Sequence, residues 1–346
     1  MKIAADIHPK SFIPLILTGC FFCMISLKAQ EYSWNADLWN IADNREYFND
    51  FQDGETILGS RINGLLRADI DSIHQISAGL SYLYEYGDNI DTHPLRPILY
   101  YHYKRQPMEF IIGSFPRHAH QDYPNILLQD RFGYYHPTMQ GLYAKTYNKH
   151  FHQTIWVDWL QKQAIQQREE FMYGGSGHIL WRRFFLEHHF LMVHQAKSLQ
   201  PASENIRDNG GLIARLGIHL NPSKSYLDTF YLSIGPTVKA DQLRGVYDFK
   251  LKSGLSSVIE VRKDWLGLKA HYFHNAGQEI IYGAPLYEAR NYSRMDFYFD
   301  FFKHQNIEGR FEYRLHLINN TLDHSQQVHI RINLGQQIST TKQSLP

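Results

Sequence analysis

Along most of its length this chain alternates apolar and polar side chains with a period of two, the spacing that puts neighbours on opposite faces of a β-strand. Over 307–317 the odd positions are Ile307, Gly309, Phe311, Tyr313, Leu315 and Leu317, and the even ones Glu308, Arg310, Glu312, Arg314 and His316. Residues 328–334 repeat the separation. So do residues 75–87, where Ile76, Ala78, Leu80, Tyr82, Tyr84 and Tyr86 oppose Gln75, Ser77, Gly79, Ser81 and Glu85. Asp296, Tyr298 and Asp300 interleave with Phe297, Phe299 and Phe301, as Asp248, Lys250 and Lys252 do with Tyr247, Phe249 and Leu251. Half-polar strands fit either a soluble sheet with one wet face or a closed barrel with lipid outside and polar side chains within.

The links between strands favour the barrel. With 32–42 as the first strand, the pattern predicts an all-β antiparallel transmembrane barrel of about 16 strands, 14 being the alternative, joined by alternating short and long links. The short set is 69–74, 104–107, 148–150, 181–183, 221–224, 263–265 and 304–306; the other set is 43–55, 88–95, 117–137, 197–209, 275–293 and 319–325, with shorter members at 163–167 and 240–244. An N-terminus in the periplasm places the short set there and the long set outside the cell. The 23 Tyr, 21 Phe and 6 Trp, many near strand ends, suit two interfacial girdles. A soluble sandwich or propeller is the competing architecture, and no repeat of constant period favours the propeller.

Composition removes other classes. Thirty-five Lys+Arg balance 34 Asp+Glu, a formal net charge of +1 without basic runs, so no nucleic-acid partner is expected. At 43% hydrophobic the chain is not disordered. No apolar run after residue 30 approaches the ~20 residues of a membrane helix, which excludes a polytopic helical protein. Before it, Lys2 and Lys10 precede the apolar run 11–27 and then Ala29-Gln30, the pattern of a secretory signal cut near Ala29 or Gln30. A single anchoring helix and a lipoprotein box at Leu17-Thr18-Gly19-Cys20 are the alternatives; Phe21, Phe22, Met24 and Ile25 stay apolar where a lipoprotein turns polar. The expected division is therefore signal peptide 1–30, barrel 31–335 and polar tail 336–346. Cys20 and Cys23 both fall in the signal, leaving no thiol for a disulfide or metal in the mature chain.

Four segments, Ala42-Asp43-Asn44-Arg45-Glu46-Tyr47-Phe48, Gly113-Ser114-Phe115-Pro116-Arg117, Arg168-Glu169-Glu170-Phe171 with 174–177, and Asp296-Phe297-Tyr298-Phe299-Asp300-Phe301-Phe302, carry a resemblance. In them the chain resembles the porin-like outer-membrane β-barrel proteins of Bacteroidota, a family described mainly by its architecture. The resemblance implies export across the inner membrane, insertion by the barrel-assembly machinery, and contact with outer-membrane lipid and lipopolysaccharide. Barrels of this class usually end on an aromatic residue, whereas here a polar tail follows Leu334-Gly335.

Two places concentrate chemistry. The loop 117–137 gathers Arg117, His118, His120, Asp122, Asp130, Arg131, Tyr134, Tyr135 and His136. Tyr rings can stack on sugar faces while Arg and Asp bond hydroxyls, so the loop reads either as a constriction or sugar-binding surface, or as a lid whose polar groups satisfy one another. Asp43, Arg45 and Glu46 form a dense triplet at the first loop, with an ion-pair cluster pinning that loop to the wall preferred over ligand binding. The binding candidates are thus Asp43, Arg45, Glu46, Arg117, Asp130, Arg131, Tyr134 and Tyr135. Arg61, Arg67, Asp158, Arg215, Asp248, Lys250, Lys252, Lys269, Asp296, Asp300, Glu308, Arg310, Glu312 and Arg314 are expected to face the lumen, as a hydrated channel or a salt-bridged closure.

No metal or other cofactor is expected: His118-x-His120, His150-x-His152 and His188-His189 lack a third ligand at recognisable spacing. The glycine run 174–177 suggests a bulge or a close strand approach. The functional expectation is a porin-like channel or binding barrel for small polar solutes, oligosaccharides being the guess, with a homo-oligomer left open. Its alternatives are a rim-site hydrolase of lipid or peptide, using groups such as His118, His120, Asp122 and Asp130 or Ser176 and His178, and a closed barrel serving as an adhesion or assembly scaffold.

Overall fold

Each stretch of alternating side chains becomes a strand, and the first and last strands pair to close the sheet. The computed structural model describes residues 31–200, 204–220, 227–275, 277 and 279–338. The strands are β1 (Glu31–Glu46), β2 (Glu55–Asp69), β3 (His74–Glu85), β4 (Arg96–Arg105), β5 (Met108–Pro116), β6 (Thr138–Tyr147), β7 (Phe151–Gln161) and β8 (Glu170–Trp181). The second half comprises β9 (Phe184–Gln195), β10 (Arg207–Leu220), β11 (Thr229–Leu243), β12 (Tyr247–Lys263), β13 (Leu266–Asn275), β14 (Asn291–His304), β15 (Ile307–Ile318) and β16 (Thr321–Ile338). All neighbours are antiparallel and in sequence order, and β1 pairs β16 with Leu38 opposite Ile332, giving a closed barrel of 16 strands. Closure leaves no edge of unpaired backbone groups, the condition for crossing lipid with strands.

The expected alternation of links holds, with two corrections. β1 runs on to Glu46, so the first long link is 47–54 rather than 43–55 and Asp43, Arg45 and Glu46 lie on the strand, where alternate residues share a face, not in the loop. The link expected at 319–325 is the two-residue turn 319–320, with Asn319 at positive φ, and β16 begins at Thr321. The run Asp323, Ser325 and Gln327 looked loop-like because lumen-facing residues are polar, yet all three are buried on the inner face. β16 continues to Ile338, so Leu334-Gly335 falls inside the strand. The expected signal segment with Cys20 and Cys23, the expected turn at 221–224 and most of the polar tail lie outside the described residues.

Outside, the wall is apolar. Leu58, Ile62 and Leu66 on β2, Leu212 and Leu216 on β10, Leu232 and Ile234 on β11 and Leu251, Leu255 and Ile259 on β12 are all exposed large hydrophobics. A belt of this kind is incompatible with water and matches the hydrocarbon layer. Aromatics mark both margins: Trp265 packs on Phe299 at 4.7 Å near the short turns, and Trp159 stacks on Phe171 at 5.0 Å near the long links. Among the described residues no helix is long and apolar enough to cross a membrane.

Inside, the core is built around a plug. Residues 117–137 fold into the lumen, carrying the short helix α1 (Asp130–Tyr135), and residues 279–290 fold in beside them. Gln129 N–H donates to Tyr282 O at 2.8 Å and Ala284 N–H to Asn125 O at 2.7 Å, joining the two segments. Ile126, Leu127, Leu128 and Phe132 of the first and Ile280, Leu286 and Tyr287 of the second pack against inward side chains including Phe115, Met139, Trp156, Met172, Leu191, Ile213 and Phe273. The apolar cluster therefore reaches from β4–β10 across to β13–β15. Gly211 makes room for it: a Cβ there would lie 3.1 Å from both Ile280 and Leu127. The glycine run in β8 is in regular register without a bulge, and Gly174 instead admits the Trp156 ring, which a Cβ would meet at 2.7 Å.

Candidate functional site

Asp130, the first residue of α1, ties the plug to the wall. Its Oδ1 lies 3.3 Å from Arg45 Nη2 and its Oδ2 2.7 Å from Arg314 Nη1. Arg45 also holds Asp43 at 2.6 Å, and Arg314 holds Glu312 at 2.6 Å. Tyr134 OH donates to Asp43 Oδ2 at 3.3 Å. The period of two explains the wall's part: Asp43 and Arg45 on β1, and Glu312 and Arg314 on β15, are i, i+2 pairs sharing the inner face. Burial raises the pKa of the Asp130 carboxyl, but Arg45 and Arg314 outweigh burial and hold it well below the usual carboxylate range.

Arg117 holds the base of the loop. It donates from Nε to His136 O at 2.6 Å and from Nη2 to Thr138 O at 2.9 Å, pairs with Asp158 at 2.5 Å, and lies over the Phe132 ring at 4.8 Å. With all three nitrogens engaged, Nη1 by Gln121, this buried guanidinium fixes both ends of the loop. On the far side of α1, Arg131 pairs with Glu55 at 2.8 Å and Tyr135 OH donates to Glu85 at 3.0 Å. Glu85, Asp88 and His93 bring three potential ligand atoms within 4.8 Å of one another, a grouping the sequence did not suggest.

Of the eight residues singled out from the sequence, Asp43, Arg45, Asp130 and Tyr134 thus meet in one network. Arg131 and Tyr135 meet other acids across the helix, Arg117 sits at the loop base, and Glu46 points outward with its carboxylate on Asn44 at 3.0 Å. His118 and His120 diverge: His118 accompanies Arg331, while His120 packs on Tyr143 at 4.9 Å. Burial depresses His120 to about 4, and burial together with Arg117 does the same for His136. Ser176 bonds Thr154 at 2.8 Å rather than His178, which stacks on Phe185. The second plug segment was missed altogether. Its signal was present, since Ile280, Ile281, Tyr282 and Leu286 are unusually apolar for an exposed loop.

On the short-turn side of the plug the lumen remains hollow. One chamber of about 440 Å³ has Trp39, Arg262, Asp300, Arg310, His329 and Arg331 in its wall. A second, about 760 Å³, includes Asp37, Arg67, Asp69, Lys104 and Glu109. A third, about 340 Å³, includes Asp122, Glu187, Arg215, Lys269 and His271. Both signs of charge line each chamber.

The outer wall carries a polar stripe near the long-link rim of β16, β1 and β2. Ser60 Oγ donates to Asn40 Oδ1 at 2.6 Å and meets Tyr86 OH at 2.5 Å, while Thr56 Oγ1 donates to Asn44 Oδ1 at 2.7 Å. Glu46 and His324 are register partners on that face.

Comparison with known proteins adds three findings. A family model described as lipid A 3'-O-deacylase-type matches residues 25–341. No curated protein matches the chain. Among solved structures the chain is similar to a loop L8 deletion mutant of OmpT, an outer membrane protein of Vibrio cholerae (TM-score 0.56, 10% identity, 88% of this chain and 99% of that one). It is also similar to OpdO of Pseudomonas aeruginosa (0.55, 10%, 90% and 98%) and to an anion-selective porin from Comamonas acidovorans (0.54, 11%, 87% and 100%). At these identities the likeness establishes the fold, that of outer-membrane barrels.

Proposed function

The chain belongs to the lipid A 3'-O-deacylase-type family, and within that outer-membrane family we propose that this barrel is a gated receptor and passage for small polar solutes, with loop 117–137 as its gate. The observation that carries this reading is the inward loop, held to the wall through Asp130 and directly above chambers of about 340–760 Å³ lined by both signs of charge. Ligand sites combine an apolar or aromatic face with a few convergent polar groups. The chamber containing Trp39, Arg262, Asp300 and Arg331 supplies both, a composition that suits saccharides. The test is single-channel conductance of the mature protein, refolded and inserted in a planar bilayer, with and without residues 118–136. Deletion is expected to raise conductance, and maltose-sized sugars to diminish the steps. Unchanged conductance on deletion rejects the loop as gate.

A second reading, acyl-ester hydrolysis on lipid A, is favoured by the stripe on the outer wall. An ester at the junction of sugar and acyl chain is reached from the lipid side, not from the lumen. Glu46 and His324, opposite one another in register, would supply a carboxylate and an imidazole for general-base work once brought together by substrate, with Asn40, Asn44, Thr56 and Ser60 as hydrogen-bonding neighbours. Fatty-acid release from lipid A in mixed micelles that disappears in His324→Ala and Glu46→Gln, while the variants keep their folded gel mobility, would establish it. Absence of release by the unaltered protein discards it.

A further inference from the structure

Arg61 projects inward from β2 and is 2% exposed. Its Nη1 donates to Gly133 O of the plug at 2.9 Å, and the guanidinium lies 5.7 Å from the Trp39 ring. Its other nitrogens, Nε and Nη2, meet no acceptor among the described residues. The neighbouring carboxylate, Asp37, is already engaged: Arg331 donates to both its oxygens at 2.6 and 2.9 Å, and Asn63 to Oδ2 at 3.0 Å.

A second cation stands close by. Arg96, the first residue of β4, is near enough for its charge to oppose that of Arg61, and among the described residues its guanidinium has no hydrogen bond or ion pair. Between them on the inner face of β3 is Ser81, 1% exposed, opposite Arg96 in register and two residues from Leu83, which is opposite Arg61. The Ser81 hydroxyl is also without a partner among the described residues. The wall of β2–β4 beneath α1 thus presents two guanidinium groups and a hydroxyl as donors, with the nearby carboxylate saturated. Setting a half-buried guanidinium beside a buried one that has two nitrogens unpaired is unfavourable, and the group that relieves it is an anion with several acceptor atoms.

We propose that Arg61, Arg96 and Ser81 bind an oxyanion, a carboxylate, phosphate or sulfate group, in the seam between the β2–β4 wall and the plug, where it latches loop 117–137 to the wall through Arg61 and Gly133. In the bound state the fork of Arg61 gives Nε and Nη2 to two oxygens of the anion while Nη1 keeps Gly133. The donor set reads the anionic head and leaves the rest of the molecule unspecified. The source is therefore either a free inorganic ion or the acidic group of a solute taken up by the lumen. The site deepens the gated-lumen reading, but binding is measured without conduction, so failure of the gate leaves its test intact.

The experiment uses the refolded full-length mature barrel at constant ionic strength, with chloride replaced stepwise by inorganic phosphate, by sulfate, or by glucuronate. Two readouts are followed: the temperature at which heat-modifiable gel mobility is lost, and protease cleavage within 117–137. Saturable protection by at least one of these anions is expected. In Arg96→Gln, which breaks no protein contact and so is expected to fold, affinity should fall about tenfold to a hundredfold, the loss that goes with one charge-assisted hydrogen bond. Arg61→Met should abolish the response while the barrel still folds, since it removes an incompletely paired buried charge. Protection by phosphate and sulfate assigns an inorganic ion, and protection by glucuronate alone assigns an acidic solute. No saturable protection by any of the three, or an equal response in Arg96→Gln, overturns the proposal.

Discussion

Asp130 is the residue on which most of the plug's electrostatics converge, because one carboxylate accepts from guanidinium groups on two separated strands. Removing it leaves Arg45 with Asp43 and Arg314 with Glu312, so the loss is partial. Asp130→Ala is expected to weaken docking of the plug by about 1–3 kcal/mol, below the full value for breaking a buried pair because its carboxylate is 29% exposed. A faster rate of protease cleavage within 117–137, with unchanged heat-modifiable mobility, checks it. Acid should act at other residues. Asp130 keeps its charge until well below the usual carboxylate range, so its contacts persist in mild acid. His120 and His136 have docked-state values near 4, whereas the undocked loop would protonate them near 6.5. Above about 6.5 neither state takes the proton; as pH falls from there towards 4 the undocked loop gains protons that the docked loop refuses, and docking weakens. Conductance or loop cleavage should therefore rise between pH 7.5 and 4.5, and His120→Gln should flatten the rise. A response that is the same in His120→Gln would assign it elsewhere.

At the scale of elements, the plug is two non-adjacent loops that share one apolar core. Leu127 is 1% exposed, and Leu127→Ala should cost about 2–5 kcal/mol of plug docking, as for buried leucines generally. Gly211→Val should have a similar effect from the wall side, pushing Leu127 and Ile280 apart from β10. Comparing the two variants by single-channel conductance checks whether wall and plug are one unit: both should leave the barrel folded and both should raise conductance. The first half of this element was legible because an apolar, charge-rich segment of 21 residues has no place in a tight turn. Its pairing with 279–290 was not, because backbone bonds such as Gln129 to Tyr282 carry no residue code. Likewise Asp43 and Arg45 were legible as members of an ion-pair cluster from their closeness in the chain, though expected in a loop rather than on β1, while the Asp130 link across the lumen depends on where the helix lands.

For the molecule as a whole, the outer wall must match lipid all the way round. Ile234 is outward and half exposed within β11, and Ile234→Arg should destabilise the inserted barrel by about 2–4 kcal/mol if the position is near the bilayer midplane, measured by denaturant unfolding in vesicles. The sheet is where the sequence was most informative: strand number, antiparallel order and the division of side chains between lipid and lumen follow from a period of two and from the lengths of links. Those are local properties, imposed on each segment by its solvent on either side, so each strand states its own faces. What the lumen contains was decided only by the tertiary structure. Two loops turning inward, Asp130 seated between Arg45 and Arg314, and Arg61 set beside Arg96 all depend on contacts between residues far apart in the chain, formed only once β1 has paired with β16 and the wall is complete.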